Sequence, residues 1–234
     1  WQKVDMTFYA YQLVFSTRTA LIDLGVDEAT AKSELGAKTF DASAFARTQA
    51  ALAAADFSLV THEHYDHLGG LAVHPNADTI AAKVRLTPEQ LANSKALEPL
   101  LLSKSVSNKV TTIYYNTMIA VAPGVVAIKA SGHTPGSQMI YVQKADGSEV
   151  LFLGDVAWKF GNVERVRERA WFVTLLMGED RRAVLSQLRA LNALQQQHPE
   201  VHQVPGHDKS VVDSLIQKNV LRVGFVDAAT QNLQ

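Results

Sequence analysis

The sequence contains no cysteine. Disulfides are therefore excluded, and so is any metal or redox site built on thiolate ligands. Nor is there a surplus of either charge: 22 Lys plus Arg face 23 Asp plus Glu, a formal net charge of −1 at pH 7. A nucleic-acid-binding domain normally carries a basic surplus, so that class of partner is not expected. No stretch approaches the roughly 18 consecutive apolar residues of a membrane span, and none is expected in this chain. The first residue is Trp1 rather than Met, which leaves room for a leader or anchor removed upstream. The compartment therefore stays open: cytoplasmic or, with such a leader, periplasmic or secreted.

What is present is a chain of 234 residues, 47% hydrophobic and 19% charged, the proportions of a globular protein. That length is ample for a core without help from a metal or a cross-link. Thr7–Phe15 and Thr19–Leu24 read as strands around a polar turn. Asp41 can cap an Ala-rich helix through Leu52, and Phe57–Thr61 is a short buried strand. Thr87-Pro-Glu-Gln90 has the form of a helix start, with hydroxyl cap, Pro at the first position and a Gln reaching back. Val110–Tyr115, Met118–Val121 and Val125–Lys129 are strand-like, and Gln138–Lys144 with Glu149–Leu153 should form a hairpin across Ala145–Ser148. From Asp180 onward Val184, Leu185, Leu188, Leu191 and Leu194 recur at helix spacing. A strand near Val201–Val204 and a helix over Lys209–Lys218 close the pattern. Two β-rich blocks, each followed by helices and with no linker or repeat, predict one domain over residues 1–234: an α/β sandwich of two packed sheets with helices on the outer faces.

Chemistry concentrates in Thr61-His62-Glu63-His64-Tyr65-Asp66-His67-Leu68-Gly69-Gly70. Side chains on a strand alternate, so at a strand end His62 and His64 should project together and grip one ion. After a turn, Asp66 and His67 can face a neighbouring point, and Gly69-Gly70 let the backbone fold away tightly. Further ligands are expected downstream. His133 sits in Ser131-Gly-His-Thr-Pro-Gly-Ser137. Asp155 ends the apolar run Val150–Gly154, where a carboxylate is costly unless a cation receives it. His207 lies in Val204-Pro-Gly-His-Asp208. His74, His198 and His202 lie outside any ligand spacing and read as structural or surface residues. Glu63, between two ligands, should be solvated or support them, and Tyr65 could face a pocket or pack. Trp158, Phe160, Trp171 and Phe172 suit either the core or a pocket wall. Glu164, Arg165, Arg167, Glu168 and Arg169 read as a solvated mixed-charge face.

These motifs, in this order, resemble the metallo-β-lactamase superfamily of metal-dependent hydrolases. The early Leu21-Ile-Asp-Leu-Gly25 is similar to that family's first sheet motif, so the match covers nearly the whole chain. The resemblance implies an αββα sandwich with a dinuclear site: His62, His64 and His133 on one metal, Asp66, His67 and His207 on the other, and Asp155 bridging. Asp23 would buttress the site. The departures narrow the branch. Zinc β-lactamases that use Cys at the second site are excluded, and the remaining β-lactamase class generally lacks a carboxylate at the Asp155 position. Flavodiiron-type proteins have Glu where His64 stands. Glyoxalase II enzymes add a helical domain after the last His, and 27 residues follow His207 here. Gly-Asp155 and Gly-His207-Asp resemble the acyl-homoserine lactonase branch and its uncharacterised relatives.

The chemistry the resemblance implies is hydrolysis. Two cations about 3.5–4 Å apart lower the pKa of a shared water, so a bridging hydroxide exists at neutral pH and can attack an electrophilic carbonyl. Asp66 would be the catalytic carboxylate, orienting that water and passing its proton to the leaving group. Zn²⁺ is the expected metal, with Fe, Mn and Co also suited to nitrogen and oxygen donors. The expected substrate is a small-molecule ester or lactone. Phosphodiester, thioester and β-lactam hydrolysis stand behind it, as does an iron-dependent persulfide-dioxygenase-like reaction. The sequence leaves the oligomeric state open.

Overall fold

The computed structural model describes residues 6–226. The chain divides into two compact units: Tyr9–Tyr114 with the segment from Val223, and Tyr115–Arg222 with the segment up to Phe8.

The first unit holds a five-stranded sheet ordered along the chain: β1 (Tyr11–Val14), β2 (Thr19–Ile22), β3 (Phe57–Leu59), β4 (Val84–Leu86) and β5 (Thr111–Thr112). β1 and β2 form an antiparallel pair, and every later pair is parallel. Parallel neighbours need crossovers, which the helices supply. α1 (Glu28–Ser33) and α2 (Ala42–Ala54) connect β2 to β3, α3 (Tyr65–Ala72) and α4 (Ala77–Ile80) connect β3 to β4, and α5 (Pro88–Ala92) and α6 (Lys104–Lys109) connect β4 to β5. Leu21, Leu24, Leu52, Val60, Leu68, Leu71, Val84 and Leu86 form its core.

The second unit holds β6 (Met118–Ala122), β7 (Val125–Lys129), β8 (Gln138–Gln143), β9 (Glu149–Gly154) and β10 (Val201–Pro205), in the sheet order β10-β9-β8-β7-β6. β6 to β9 are an antiparallel meander, whereas β10 is parallel to β9. The crossover between those two carries α7 (Phe160–Glu164), α8 (Trp171–Leu176) and α9 (Arg181–Gln197), and α10 (Lys209–Gln217) follows β10. Val184, Leu188 and Leu191, three of the five residues of the expected apolar stripe of α9, pack with Leu151, Leu153, Val156 and Val163, and Leu194 packs partly buried against them. The result is an α/β fold with two mixed sheets and accompanying helices.

Most expected elements are present, and the differences have local causes. β2 stops at Ile22 because Asp23 takes a positive φ of 61°, which no strand residue can hold. The strand expected over Val110–Tyr115 shrinks to two residues, since Val110 caps α6. The caps at Asp41 and Thr87 act as anticipated, each accepting a backbone N–H of its helix, and Asp180, near the expected start of α9, caps that helix in the same way.

The Gly69-Gly70 pair is a correction. Both residues lie inside α3 rather than at a turn, and their smallness serves a close approach. The Leu24 N–H donates to the His67 carbonyl at 2.7 Å, and the Gly70 N–H donates to Gly25 O at 2.8 Å. Gln49 Nε2 donates to Gly70 O at 3.0 Å. A Cβ at Gly70 would collide with the Leu24 carbonyl, whereas one at Gly69 would meet Leu100 Cδ1. The two positions should therefore respond differently to alanine. Gly70→Ala forces backbone apart and should cost about 3 kcal/mol, the upper range for overpacking. Gly69→Ala displaces only a side-chain end, and its gain of about 0.8–1 kcal/mol in helix propensity should leave it near neutral. Urea unfolding of the two variants checks this, and equal effects would contradict the backbone-contact account.

Candidate metal centre

In the first unit, β3 ends at Leu59, and residues 61–64 form a series of bends before α3. His62 and His64 still converge, with His62 Nε2 at 3.0 Å from His64 Nδ1. The bends bring them together rather than the strand alternation that the spacing predicted. His64 is the residue before α3, and Asp66 and His67 fall in its first turn. The ring centroids of His62 and His67 are 4.0 Å apart. One ligand atom from each of His62, Asp66 and His67 lies within 4.8 Å of the others, and all three residues are buried.

Asp23 holds this turn. Its Oδ1 accepts the Thr61 N–H at 2.7 Å, both of its oxygens receive the Thr61 hydroxyl at 3.0 and 2.9 Å, and Oδ2 faces His67 Nδ1 at 2.8 Å. With Nδ1–H given to Asp23, His67 turns Nε2 toward Asp66 Oδ2, 3.4 Å away. Burial by itself lowers the His67 pKa, but Asp66 and Asp23 outweigh it and hold the ring well above the ordinary histidine range. The pocket thus favours positive charge. The expected buttressing role of Asp23 is what its contacts describe.

Glu63 is buried rather than solvated and accepts from Asn93 Nδ2 at 2.7 Å, which ties the turn to the end of α5. Tyr65 packs against the core of its unit, and burial, then Asp66 and Glu34, push its hydroxyl up to about 12.

In the second unit the remaining three candidates meet. Asp155 directly follows β9 and is buried. Its Oδ1 lies 3.0 Å from His207 Nε2, and its Oδ2 lies 3.4 Å from His133 Nε2. Each ring has a partner on its other nitrogen. His207 Nδ1 faces the Thr7 carbonyl at 3.2 Å, and His133 Nδ1 faces Glu179 Oε1 at 2.5 Å. The Thr7 carbonyl assigns the His207 proton to Nδ1; at His133 the Glu179 carboxylate favours a proton on Nδ1, whereas Arg169 Nη2, a donor 3.0 Å from the same nitrogen, opposes it. His133 is carried by a tight loop: the Ala130 N–H donates to Ser137 O at 2.9 Å, and Ser131 Oγ to Pro135 O at 2.7 Å. Gly206 has no room for a side chain, because a Cβ there would collide with Asp155 Oδ1. Asp208 caps α10 and also accepts the Phe160 N–H at 2.8 Å, joining the loop after β9 to the loop after β10.

Several residues around this group depart from expectation. Arg169 is buried rather than part of a solvated face. Its Nη1 donates to the Asp155 carbonyl at 2.8 Å and its Nε to Glu179 Oε1 at 2.8 Å. Burial pushes the Glu179 carboxyl up, but His133 and Arg169 hold it below its usual range. Trp158 Nε1 donates to Asp155 Oδ2 at 2.6 Å. Trp171 and Phe172 are exposed, at 64% and 40%, so the core reading fails for them. His74 is structural as expected, with Nε2 3.2 Å from Gln49 O, and His198 is a surface residue paired with Glu200. Glu179 was not foreseen; it precedes the α9 cap in a run that reads only as polar.

Nitrogen and oxygen donors, buried and without sulfur, fit a borderline divalent cation. A cation would also offset the desolvation of the carboxylates. Among the described residues, no helix is long and apolar enough to cross a membrane.

The family model of the metallo-beta-lactamase superfamily matches residues 9–207. No curated protein sequence matches the chain. Among solved structures, an N-acyl homoserine lactone hydrolase with N-hexanoyl-L-homoserine at its catalytic metal centre is 18% identical, with 92% of this chain and 84% of that chain covered and a TM-score of 0.65. A mutant of AiiA from B. thuringiensis with N-decanoyl-L-homoserine at its active site is 19% identical, with 92% and 84% covered and a TM-score of 0.64. AidC, a dizinc quorum-quenching lactonase, is 15% identical, with 88% and 74% covered and a TM-score of 0.57. At such identities the likeness is one of fold.

The contacts of Asp23 lead to a prediction. Asp23→Ala removes the acceptor of a buried N–H, a hydroxyl and an imidazole, so unfolding free energy should fall by at least about 1–3 kcal/mol, the desolvation penalty of one such group. Asp23→Asn keeps one acceptor oxygen and should lose less. Guanidinium denaturation separates the two, and equal losses would show that the one acceptor oxygen kept by Asn contributes nothing.

Proposed function

Because the chain belongs to the metallo-β-lactamase superfamily, we propose that it works as one domain, a dinuclear metal-dependent hydrolase that opens an ester or lactone bond. His62, His64 and His133 would hold one ion, Asp66, His67 and His207 the other, and Asp155 both. The observation that carries this reading is the state of those seven side chains. All but His64 are buried, in two groups of imidazoles and carboxylates, and His67, His133 and His207 each have a partner that turns Nε2 toward a carboxylate. Such an arrangement is costly unless cations receive it. Two divalent ions, with zinc as the expected metal and Fe, Mn or Co as alternatives, supply when bound a hydroxide at neutral pH and Lewis acidity toward the attacked carbonyl.

The chain's own residues then have distinct tasks. Asp66, in the first turn of α3, is the carboxylate that would orient the nucleophile and carry its proton to the leaving group. Trp158 holds Asp155 Oδ2, so that the shared carboxylate keeps one orientation. Asp23 keeps the Nδ1 proton of His67 in place, which leaves Nε2 for the ion. The near-neutral chain offers no basic run to hold a polyanion, which favours an ester or lactone over a nucleic acid. Exposed Trp171 and Phe172 would offer apolar surface to an acyl or aryl group. Lactonases of the same fold support the lactone as first choice.

Carefully prepared protein should hold about two ions per chain by elemental analysis, and chelation should lower its melting temperature and abolish turnover together. Saturation at one ion would remove the dinuclear assignment. Asp155→Ala should weaken metal binding and cut hydrolysis far more than it cuts stability, since β9 packs through its own apolar residues. A kinetic panel on zinc- and manganese-loaded enzyme should include short and long acyl lactones, aryl esters, a β-lactam, a glutathione thioester and a bis-aryl phosphodiester. The highest kcat/KM is expected on a lactone or ester and should vanish in His62→Ala. A phosphodiester as best substrate, or oxygen consumption with a persulfide, would overturn the reading.

A further inference from the structure

The charged run from Glu164 to Arg169 looks like solvent-facing decoration in the sequence, yet Arg169 is buried and its ion-pair partner Glu179 has a fully buried side chain. Taking an ion pair out of water is expensive, and apolar residues of similar volume are often as stable. Its contacts are therefore the informative feature, and they converge on two of the proposed ligands. Glu179 Oε1 lies 2.5 Å from His133 Nδ1. Arg169 Nε donates to that same oxygen at 2.8 Å, Nη1 donates to the backbone carbonyl of Asp155 at 2.8 Å, and Nη2 lies 3.0 Å from His133 Nδ1 itself. The guanidinium carbon lies 4.8 Å from the centre of the Trp158 ring, whose Nε1 donates to Asp155 Oδ2 at 2.6 Å. Asp155 is thereby held at both ends, by Arg169 at its carbonyl and by Trp158 at its carboxylate. Glu179 itself is fixed in place: its N–H donates to Thr174 O at 2.9 Å, and the next N–H, of Asp180, donates to Gly132 O at 2.8 Å.

We propose that Arg169 and Glu179 are positioning residues for metal binding: Glu179 fixes the tautomer and direction of the His133 ring, and Arg169 fixes Glu179 against the backbone of Asp155. The proposal rests on the metal-centre reading above. Physically, a carboxylate on Nδ1 keeps the proton there and raises the basicity of Nε2. Without Glu179, Arg169 Nη2 would be the group left facing Nδ1, and as a donor it favours the proton on Nε2. Without Arg169, the carboxylate would be buried with less compensation and the loop after β9 would lose a tether.

The test compares wild type, Glu179→Gln and the double variant Glu179→Gln/Arg169→Met, which leaves no buried charge without its counter-charge. Zinc affinity of the metal-free proteins is measured by competition with a chromophoric chelator, and the His133 tautomer by ¹⁵N NMR of histidine-labelled, zinc-free protein. Both variants should bind one of two zinc ions about 10–100-fold more weakly, the usual effect of losing such a partner. The double variant should show mixed tautomers at His133 while its metal-free urea midpoint stays near wild type. A merely structural pair would move the midpoint and leave affinity and tautomer unchanged, which would overturn the proposal. If the double variant does not fold, Glu179→Gln carries the test on the same two readouts, since it keeps the size and one acceptor. Wild type taking up two zinc ions with equal affinity in the variants would sink the positioning role alone. Wild type binding no zinc would sink the metal-centre reading and this inference with it.

Discussion

Burial of carboxylates is the constraint on which the rest depends. Asp23, Asp66, Asp155 and Glu179 all have side chains largely or wholly shielded from water. An uncompensated carboxylate in such a place shifts its pKa or disrupts the fold. Each has a specific set of neighbours here. Asp23 receives an amide, a hydroxyl and an imidazole, Asp66 faces an imidazole, Asp155 has an indole between two imidazoles, and Glu179 a guanidinium and an imidazole. The backbone geometry follows from these demands. The positive φ at Asp23, the bends over residues 61–64 and the bare Gly206 are what it takes to bring donors to those oxygens.

Much of this was legible in the sequence because the information is local. Three histidines and an aspartate within six residues, placed after an apolar strand, mark the turn where the structure gathers His62, Asp66 and His67. The sheet strands β6–β9 were legible for the same reason, since each is an apolar run bounded by turn residues. The caps at Asp41 and Thr87 could also be read directly, because a cap and its helix are adjacent in the chain.

What the sequence hid depends on partners far apart. Glu63 reads as solvated or as a support for its neighbours, and only Asn93, thirty residues on, decides between the two. Arg169 looks solvated in a run of alternating charges, and only the fold brings Glu179 and the Asp155 carbonyl to it. Gly69 and Gly70 show the converse error. A glycine pair after a ligand motif suggests a turn, yet the same lack of Cβ serves a helix pressed against the Leu24–Gly25 backbone. Composition marks where flexibility or closeness is needed but does not say which of the two it is.

The Arg169–Glu179 pair has one more consequence. It joins the two ends of an excursion that contains only α8, with Trp171, Leu175 and Leu176 largely exposed along it. A loop with its base pinned can change in length and composition at small entropic cost, because closure entropy grows only slowly with length. Residues 170–178 can therefore be rewritten while Arg169 and Glu179 keep their places. Variation above the pin and constancy at it are then inherited separately.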